Sequence, residues 1–252
     1  MEKIEKFFIA CKKHTHYQNI SPKPDNFQGW QDSEELTWKY ARWIQKHSNV
    51  PTLKLDIAIP NLEKIVKEAN SVIKDAIKHR GEIHPGWRSV TLHGAGMHIT
   101  EDWNAEIYQG KWDQRPQYTW TEIAEQCPAT VEWLQTHWSW QEFHRIRFML
   151  LEPGGAIQPH QDMDQRELGA INVAITNPPG IEFGMEEAGT VPWRPGDVRA
   201  IDIGRQHAVR NIGSHNRIHM IIHGVPDYKH YQTLCRSYEE LHRQIRHSWV
   251  VL

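Results

Sequence analysis

His160 and Asp162, in the stretch Pro159-His160-Gln161-Asp162, are the residues of this 252-residue chain whose types and spacing most directly suggest chemistry. On an extended strand, side chains two positions apart point the same way, so an imidazole nitrogen and a carboxylate oxygen can reach one ion. A second imidazole is available at His207, forty-seven residues after His160. Two imidazoles and one carboxylate make the facial set that holds non-haem Fe(II) and leaves coordination positions open. A His-x-Asp pair alone is also met in polar surface turns, and Asp164, four positions after His160, is a competing carboxylate.

Arg217 follows His207 by ten residues and opens the run Arg217-Ile218-His219-Met220-Ile221-Ile222-His223. The two-residue period puts Arg217, His219, Ile221 and His223 on one face. A buried guanidinium facing a metal site needs an anion, and its fork suits a carboxylate held by two hydrogen bonds.

Other strands must position these groups. Arg145-Ile146-Arg147-Phe148-Met149-Leu150-Leu151 feeds the His-x-Asp stretch, and Arg147 is a candidate second anion site for a carboxylate-bearing substrate or the partner of a surface acid. The Pro195-Gly196-Asp197 turn and the alternating run to Gly204 place His207 at a strand end, where a barrel mouth would lie. Residues 170–175 read as a core strand in which the Asn172 amide wants a buried partner. Residues 84–94 read as a turn and a strand, with Ser89, Thr91 and His93 on one face and Arg88, Val90 and Leu92 on the other. Arg88 and His93 are candidates for substrate contact, against a surface or structural role. Trp193, just ahead of Pro195-Gly196, is expected to cap the site.

From about residue 148 to 225 the chain resembles the aspartyl/asparaginyl β-hydroxylase family of Fe(II)/2-oxoglutarate dioxygenases. The resemblance rests on Glu152-Pro153-Gly154-Gly155, Pro159-His160-Gln161-Asp162, Pro195-Gly196-Asp197, the distal His207, and Arg217. It implies a mixed α/β chain built on a double-stranded β-helix, a jelly-roll, cupin-like barrel with flanking helices. It also implies Fe(II) on His160, Asp162 and His207, with Arg217 on the distal carboxylate of 2-oxoglutarate and Asn172 near that co-substrate. The activity implied consumes O₂, converts 2-oxoglutarate to succinate and CO₂, and hydroxylates an unactivated C–H of an amino acid, free or peptidyl. The animal enzyme that gives the family its name lacks the carboxylate ligand, whereas Asp162 resembles the bacterial members that act on free amino acids such as proline.

Two other readings stay open. Relatives act on acyl chains, so a lipid or other small metabolite is the second substrate class, although no basic amphipathic helix is evident. A cupin-like metal- or ligand-binding module without turnover is the third, and Arg217 argues against it, because a bare metal-binding barrel has no need of a buried guanidinium.

The remainder of the chain reads as scaffold. A single hydrophobic core is feasible at this length. We expect one domain over residues 1–252: an N-terminal arm and helical additions (1–60), supporting helices and first strands (61–140), the barrel with its iron site (141–226) and a C-terminal helix (227–252). Residues 11–35 read as a loop or docked arm, with a helix from Ser33. Residues 61–80 carry Leu62, Ile65, Val66, Ala69, Val72, Ile73, Ala76 and Ile77 in one stripe, predicting a helix that starts after Pro60 and stops at Gly81. Thr119 and Glu122 are spaced as a capping box, and a second short helix is expected after Cys127-Pro128.

A hydrophobic share of 39% is ordinary for a globular protein, and a net charge of −2 makes no electrostatic case for nucleic acid or an anionic membrane. The expected partner is a small-molecule or peptidyl amino-acid substrate. The C-terminal helix is expected to close the fold or to form a homodimer contact. Three scattered cysteines, Cys11, Cys127 and Cys235, argue against a disulfide framework and for a cytoplasmic location. Neither a secretory leader nor a membrane-spanning segment is expected.

Overall fold

The computed structural model describes residues 2–80, 83–99 and 117–249. Its helices are α1 (Glu2–Cys11), α2 (Glu34–His47), α3 (Leu62–Val72), α4 (Glu122–Glu125), α5 (Pro128–His137) and α6 (Tyr228–Trp249). The first strands are β1 (Thr52–Lys54), β2 (Ile77–Lys78), β3 (Trp87–Gly94) and β4 (Thr119–Trp120). Then follow β5 (Trp140–Leu151), β6 (Ala156–His160), β7 (Leu168–Ala174), β8 (Ile181–Met185), β9 (Gly189–Thr190), β10 (Val198–Asp202), β11 (His207–Asn211) and β12 (Arg217–Pro226).

Among the described residues the strands form two antiparallel sheets. The larger has the order β1-β10-β7-β12-β5-β3-β2, with β4 paired to β3, and the smaller has the order β6-β11-β8-β9. From β5 onward the chain alternates between them: β5, β7, β10 and β12 lie in the large sheet, and β6, β8, β9 and β11 in the small one. That alternation is the double-stranded β-helix.

The period-2 pattern of the strands explains how the sheets are buried on two sides. Ile146, Phe148, Leu150, Ile171, Val173, Ile218, Met220 and Ile222 join the cluster that also holds Ile44, Ile65, Leu134 and Tyr238 from the helices. Alternate residues of the same strands, including Met149, Leu151 and Ala174, turn inward with Ile157, Phe183 and Val209 of the small sheet. Two hydrophobic layers therefore sandwich the large sheet, and its polar inward residues are confined to the barrel interior.

The expected helix over residues 61–80 is shorter than its stripe. It ends at Val72, a 3₁₀ turn spans Ile73–Asp75, and Ile77 and Lys78 pair with Ser89 and Arg88 of β3. Sheet pairing satisfies the backbone that a longer helix would have used, while Ile73 and Ala76 stay in the same core. The proposed stop, Gly81, lies outside the described residues, as do residues 250–252 of the expected C-terminal helix. The expected capping box does not form at Thr119. Thr119 pairs in β4, and the helix cap is Thr121, whose hydroxyl donates to the carbonyls of Thr91 and Leu92 at 2.6 and 3.2 Å.

The N-terminus contains a helix that spacing did not announce. α1 lays Ile4 and Phe8 against Ala208 of the small sheet. Gly184 permits the approach, since a Cβ there would stand 2.9 Å from the Phe8 ring and 3.0 Å from Cys11 Sγ. Among the described residues, no helix is long and apolar enough to cross a membrane.

Candidate metal and co-substrate site

The two sheets line a cavity of about 450 Å³, whose β12 wall runs from buried residues at Arg217 and His219 to half-buried ones at Ile221 and His223. His160 closes β6 and stands directly opposite His207, the first residue of β11. Their ring centroids are 4.4 Å apart. Asp162 lies just past β6, where its N–H donates to the Ile203 carbonyl at 2.9 Å and fixes the turn. Its carboxylate oxygens lie 3.6 Å from His160 Nε2 and 3.8 Å from His207 Nε2. One donor atom from each of His160, Asp162 and His207 falls within 4.8 Å of the others. Asp164 is exposed and stands outside this group.

Both imidazoles are oriented by backbone carbonyls. His160 Nδ1 donates to Gln158 O at 2.8 Å, and His207 Nδ1 donates to Arg205 O at 2.9 Å. A ring that gives its Nδ1 proton to a carbonyl keeps the Nε2 lone pair for a metal. Arg205 is itself held by Asp202, Nε to Oδ2 at 3.0 Å. Burial, reinforced by His160, lowers the pKa of His207. Burial pulls Asp162 upward, but His207, His160 and Arg80 outweigh it and hold the carboxyl below its usual range. Two such nitrogens and an ionised oxygen, converging from one side, suit Fe(II).

Along the opposite wall, β12 turns Arg217, His219, Ile221 and His223 into the cavity. Register sets their depth. Arg217 lies opposite Leu151, His219 opposite Met149 and Ala174, Ile221 opposite Arg147 and Asn172, and His223 beside Arg145. Arg217 is therefore four residues, or roughly 13 Å, along the strand from the level of Arg147 and Asn172. Arg217 is 4% exposed, and burial lowers its pKa to about 9. Among the described residues no carboxylate reaches it, and its Nε has no hydrogen-bond partner. A desolvated guanidinium at the cavity floor fits the distal carboxylate of a 2-oxo dicarboxylic acid.

The other candidates separate. Arg147 and Asn172 line the cavity, with Arg147 Nη2 also donating to the Ile99 carbonyl at 2.9 Å. Arg88 and His93 are not among the lining residues. Arg88 shares the outward face with Val90 and donates from Nε to the Ala76 carbonyl at 2.9 Å. His93 is displaced by a β-bulge after Thr91, which puts it opposite Ile146 instead of in phase with Thr91 and Arg147. Its ring packs on Trp120, and its Nδ1 donates to the His144 carbonyl at 3.0 Å. Trp193 does not cap the opening; it sits behind the floor, edge-on to His219 with ring centroids 4.7 Å apart.

Two neighbours of the triad escaped the sequence reading. Arg80 Nη1 donates to Asp162 Oδ1 at 3.1 Å across eighty-two residues. His84 Nδ1 accepts from the Gln158 N–H at 3.0 Å, bracing the strand that carries His160. Neither has a local pattern that points to the site, because both lie between β2 and β3, outside the strands that carry the triad.

The family model described as Aspartyl/Asparaginyl beta-hydroxylase matches residues 59–226, about two thirds of the chain. The chain belongs to the aspartyl/asparaginyl β-hydroxylase family. It is an Fe(II)/2-oxoglutarate-dependent hydroxylase, and the donor set and the buried guanidinium suit both groups. No curated protein matches this family member. Solved structures similar to the hydroxylase include a prolyl hydroxylase from Trichoplax adhaerens in complex with a hypoxia inducible factor peptide fragment (10% identity, 77% of this chain and 93% of that one, TM-score 0.43). A prolyl-4-hydroxylase from Pseudomonas putida matches at 12% identity over 75% and 98% of the two chains, with a TM-score of 0.40. An oxidoreductase of the 2OG-Fe(II) oxygenase family from Burkholderia pseudomallei matches at 11% identity over 85% and 98%, also with a TM-score of 0.40.

Proposed function

We propose that this hydroxylase acts on an amino acid, free or within a peptide, with His160, Asp162 and His207 holding Fe(II) and Arg217 anchoring 2-oxoglutarate. The observation that carries the reading is the pairing, across one cavity, of three converging donor atoms with a buried guanidinium that no carboxylate among the described residues reaches. When bound, iron, 2-oxoglutarate and O₂ supply the oxidising power for C–H hydroxylation, with succinate and CO₂ as co-products.

The chain's own residues supply position and exclusion of water. The carbonyls of Gln158 and Arg205 hold the two imidazoles with Nε2 inward. Arg217 fixes the far end of the co-substrate, and Asn172 lines the same cavity at the level of Ile221, four residues further along the wall, where its amide can face only the opposite, metal-side end of that ligand. Met149, Ile157, Phe183 and Ile221 keep that channel apolar. Nearer the mouth, Arg145 and Arg147 suit the carboxylate of an amino-acid substrate. The three cysteines are free and buried, and burial raises the pKa of Cys11 to about 11 and of Cys127 and Cys235 to about 12, so they stay protonated; a cytoplasmic location is our reading from the free thiols alone.

The test is incubation of the purified protein with Fe(II), 2-oxoglutarate and separate pools of amino acids, peptides and acyl compounds. Succinate release, together with a mass gain of one oxygen atom in an amino-acid or peptide pool, is expected. Oxygen incorporation only in the acyl pool would overturn the substrate assignment.

A further inference from the structure

His219 follows Arg217 by two residues on the inward face of β12 and lines the same cavity. It is 1% exposed, and its Nδ1 lies 2.8 Å from Arg217 Nη2. A guanidinium has hydrogens to give and no lone pair to offer, so Nδ1 must be the acceptor. The ring is then the tautomer that carries its proton on Nε2. That N–H is buried and has no hydrogen-bond partner, and the same holds for Nε of Arg217. Neighbouring residues thus present two unsatisfied donors at the floor of one cavity, where buried donors are ordinarily paired. Trp193 packs edge-on against the imidazole at 4.7 Å, and Met149 and Ala174 flank it on the adjoining strands, so the ring is held in place.

We propose that Arg217 and His219 act as one two-pronged clamp, in which His219 Nε2–H donates a second hydrogen bond to the distal carboxylate of 2-oxoglutarate. The bond from Arg217 to Nδ1 both orients the ring and selects the donor tautomer. Burial and the Arg217 charge keep the imidazole neutral, as that bond requires. The clamp rests on the reading of Arg217 as the co-substrate anchor, and it makes His219 a determinant of selectivity for 2-oxo acids with a terminal carboxylate.

The test uses Mn(II)-loaded protein and calorimetric titration with two ligands, 2-oxoglutarate and 2-oxopentanoate, which has the same chain length and no distal carboxylate. His219→Phe keeps a ring and loses both nitrogens. His219→Asn keeps an acceptor near the Nδ1 position and leaves its amide N–H near Cδ2, short of the Nε2 position. His219→Gln places an amide N–H near Nε2. The Phe and Asn variants are expected to bind 2-oxoglutarate on the order of 10-fold more weakly, with 2-oxopentanoate and Mn(II) affinity unchanged and Gln restoring most of the loss. If Arg217→Ala loses the preference for 2-oxoglutarate while the Phe and Asn variants keep it, the clamp is overturned and the anchor stands. Retention of the preference by Arg217→Ala would overturn the anchor, and the clamp with it. Equal weakening of both ligands in every His219 variant would assign the residue a structural role and overturn the clamp.

Discussion

His160 and His207 face each other as register partners on neighbouring antiparallel strands, so the fold brings two imidazoles together with no loop needed to carry either one. Their outer nitrogens are tied to carbonyls of the same backbone segments, two residues away in each case. A site built this way is held by the sheet, and its polar donors contribute little to the core beneath.

Removal of one donor of the three should therefore separate binding from folding. His207→Ala is expected to weaken Fe(II) or Mn(II) binding beyond the ~10–100-fold that the loss of an outer partner costs. Turnover should be lost, with the thermal unfolding midpoint near wild type. Full metal affinity in this variant, with loss instead in His219→Ala or His223→Ala, would rule out His207 as the distal ligand.

Arg217→Ala should raise the Kd for 2-oxoglutarate roughly 30-fold or more, because truncating one member of a buried charged pair costs about 2–5 kcal/mol. Arg217→Lys should recover only part of this, since an ammonium cannot reproduce the planar fork. Equilibrium dialysis of labelled 2-oxoglutarate against Mn(II)-loaded protein measures it, and unchanged Kd values would refute the role.

Arg147→Gln should act on the other ligand. The Arg147 level lies roughly 13 Å along the strand from Arg217, so KM for the amino-acid substrate should rise with little change for 2-oxoglutarate. Steady-state kinetics with each ligand varied in turn separates the two. A rise for 2-oxoglutarate alone would move Arg147 to the co-substrate.

Gly180 ends the turn of Asn177-Pro178-Pro179-Gly180 at a φ of +91°, and a Cβ there would stand 2.5 Å from the Gly213 backbone nitrogen. Gly180→Ala is expected to cost about 1–3 kcal/mol. Urea denaturation would read it as a lower midpoint, and an unchanged midpoint would show that the turn relaxes freely.

Acid should destabilise the protein through buried histidines. Burial lowers His230 to about 4, against about 6.5 in an unfolded chain. Its stabilising contribution is complete above pH ~6.5 and is lost as pH falls toward ~4, because only the unfolded state takes the proton in that window. His230→Gln should remove up to about 1.4 kcal/mol per pH unit from the slope of stability there. Denaturant titrations at several pH values measure this slope, and an unaltered slope would exclude His230 as a contributor.

Period-2 spacing was sufficient to put Arg217, His219, Ile221 and His223 on one face of a strand, because alternation is local and follows from backbone geometry. The same rule misplaced His93, since one extra residue in a bulge after Thr91 reverses the faces and leaves no mark in the residue types. The barrel was legible only through the family resemblance that the motifs carry, the pairing of His160 with Asp162 through their spacing, and helix α3 through its apolar stripe. Helix length was not: whether residues 73–78 continued as helix or joined β3 depended on a pairing partner outside the segment. Arg80 beside Asp162, His84 beneath Gln158 and the hydrogen bond from Arg217 to His219 were likewise decided by tertiary structure. The first two are contacts across more than seventy residues. The third joins residues only two apart, yet it depends on a rotamer and a tautomer that packing selects. Sequence determined which donors and charges this chain would bring to one barrel; the depth, partner and proton of each became definite only when the two sheets closed around them.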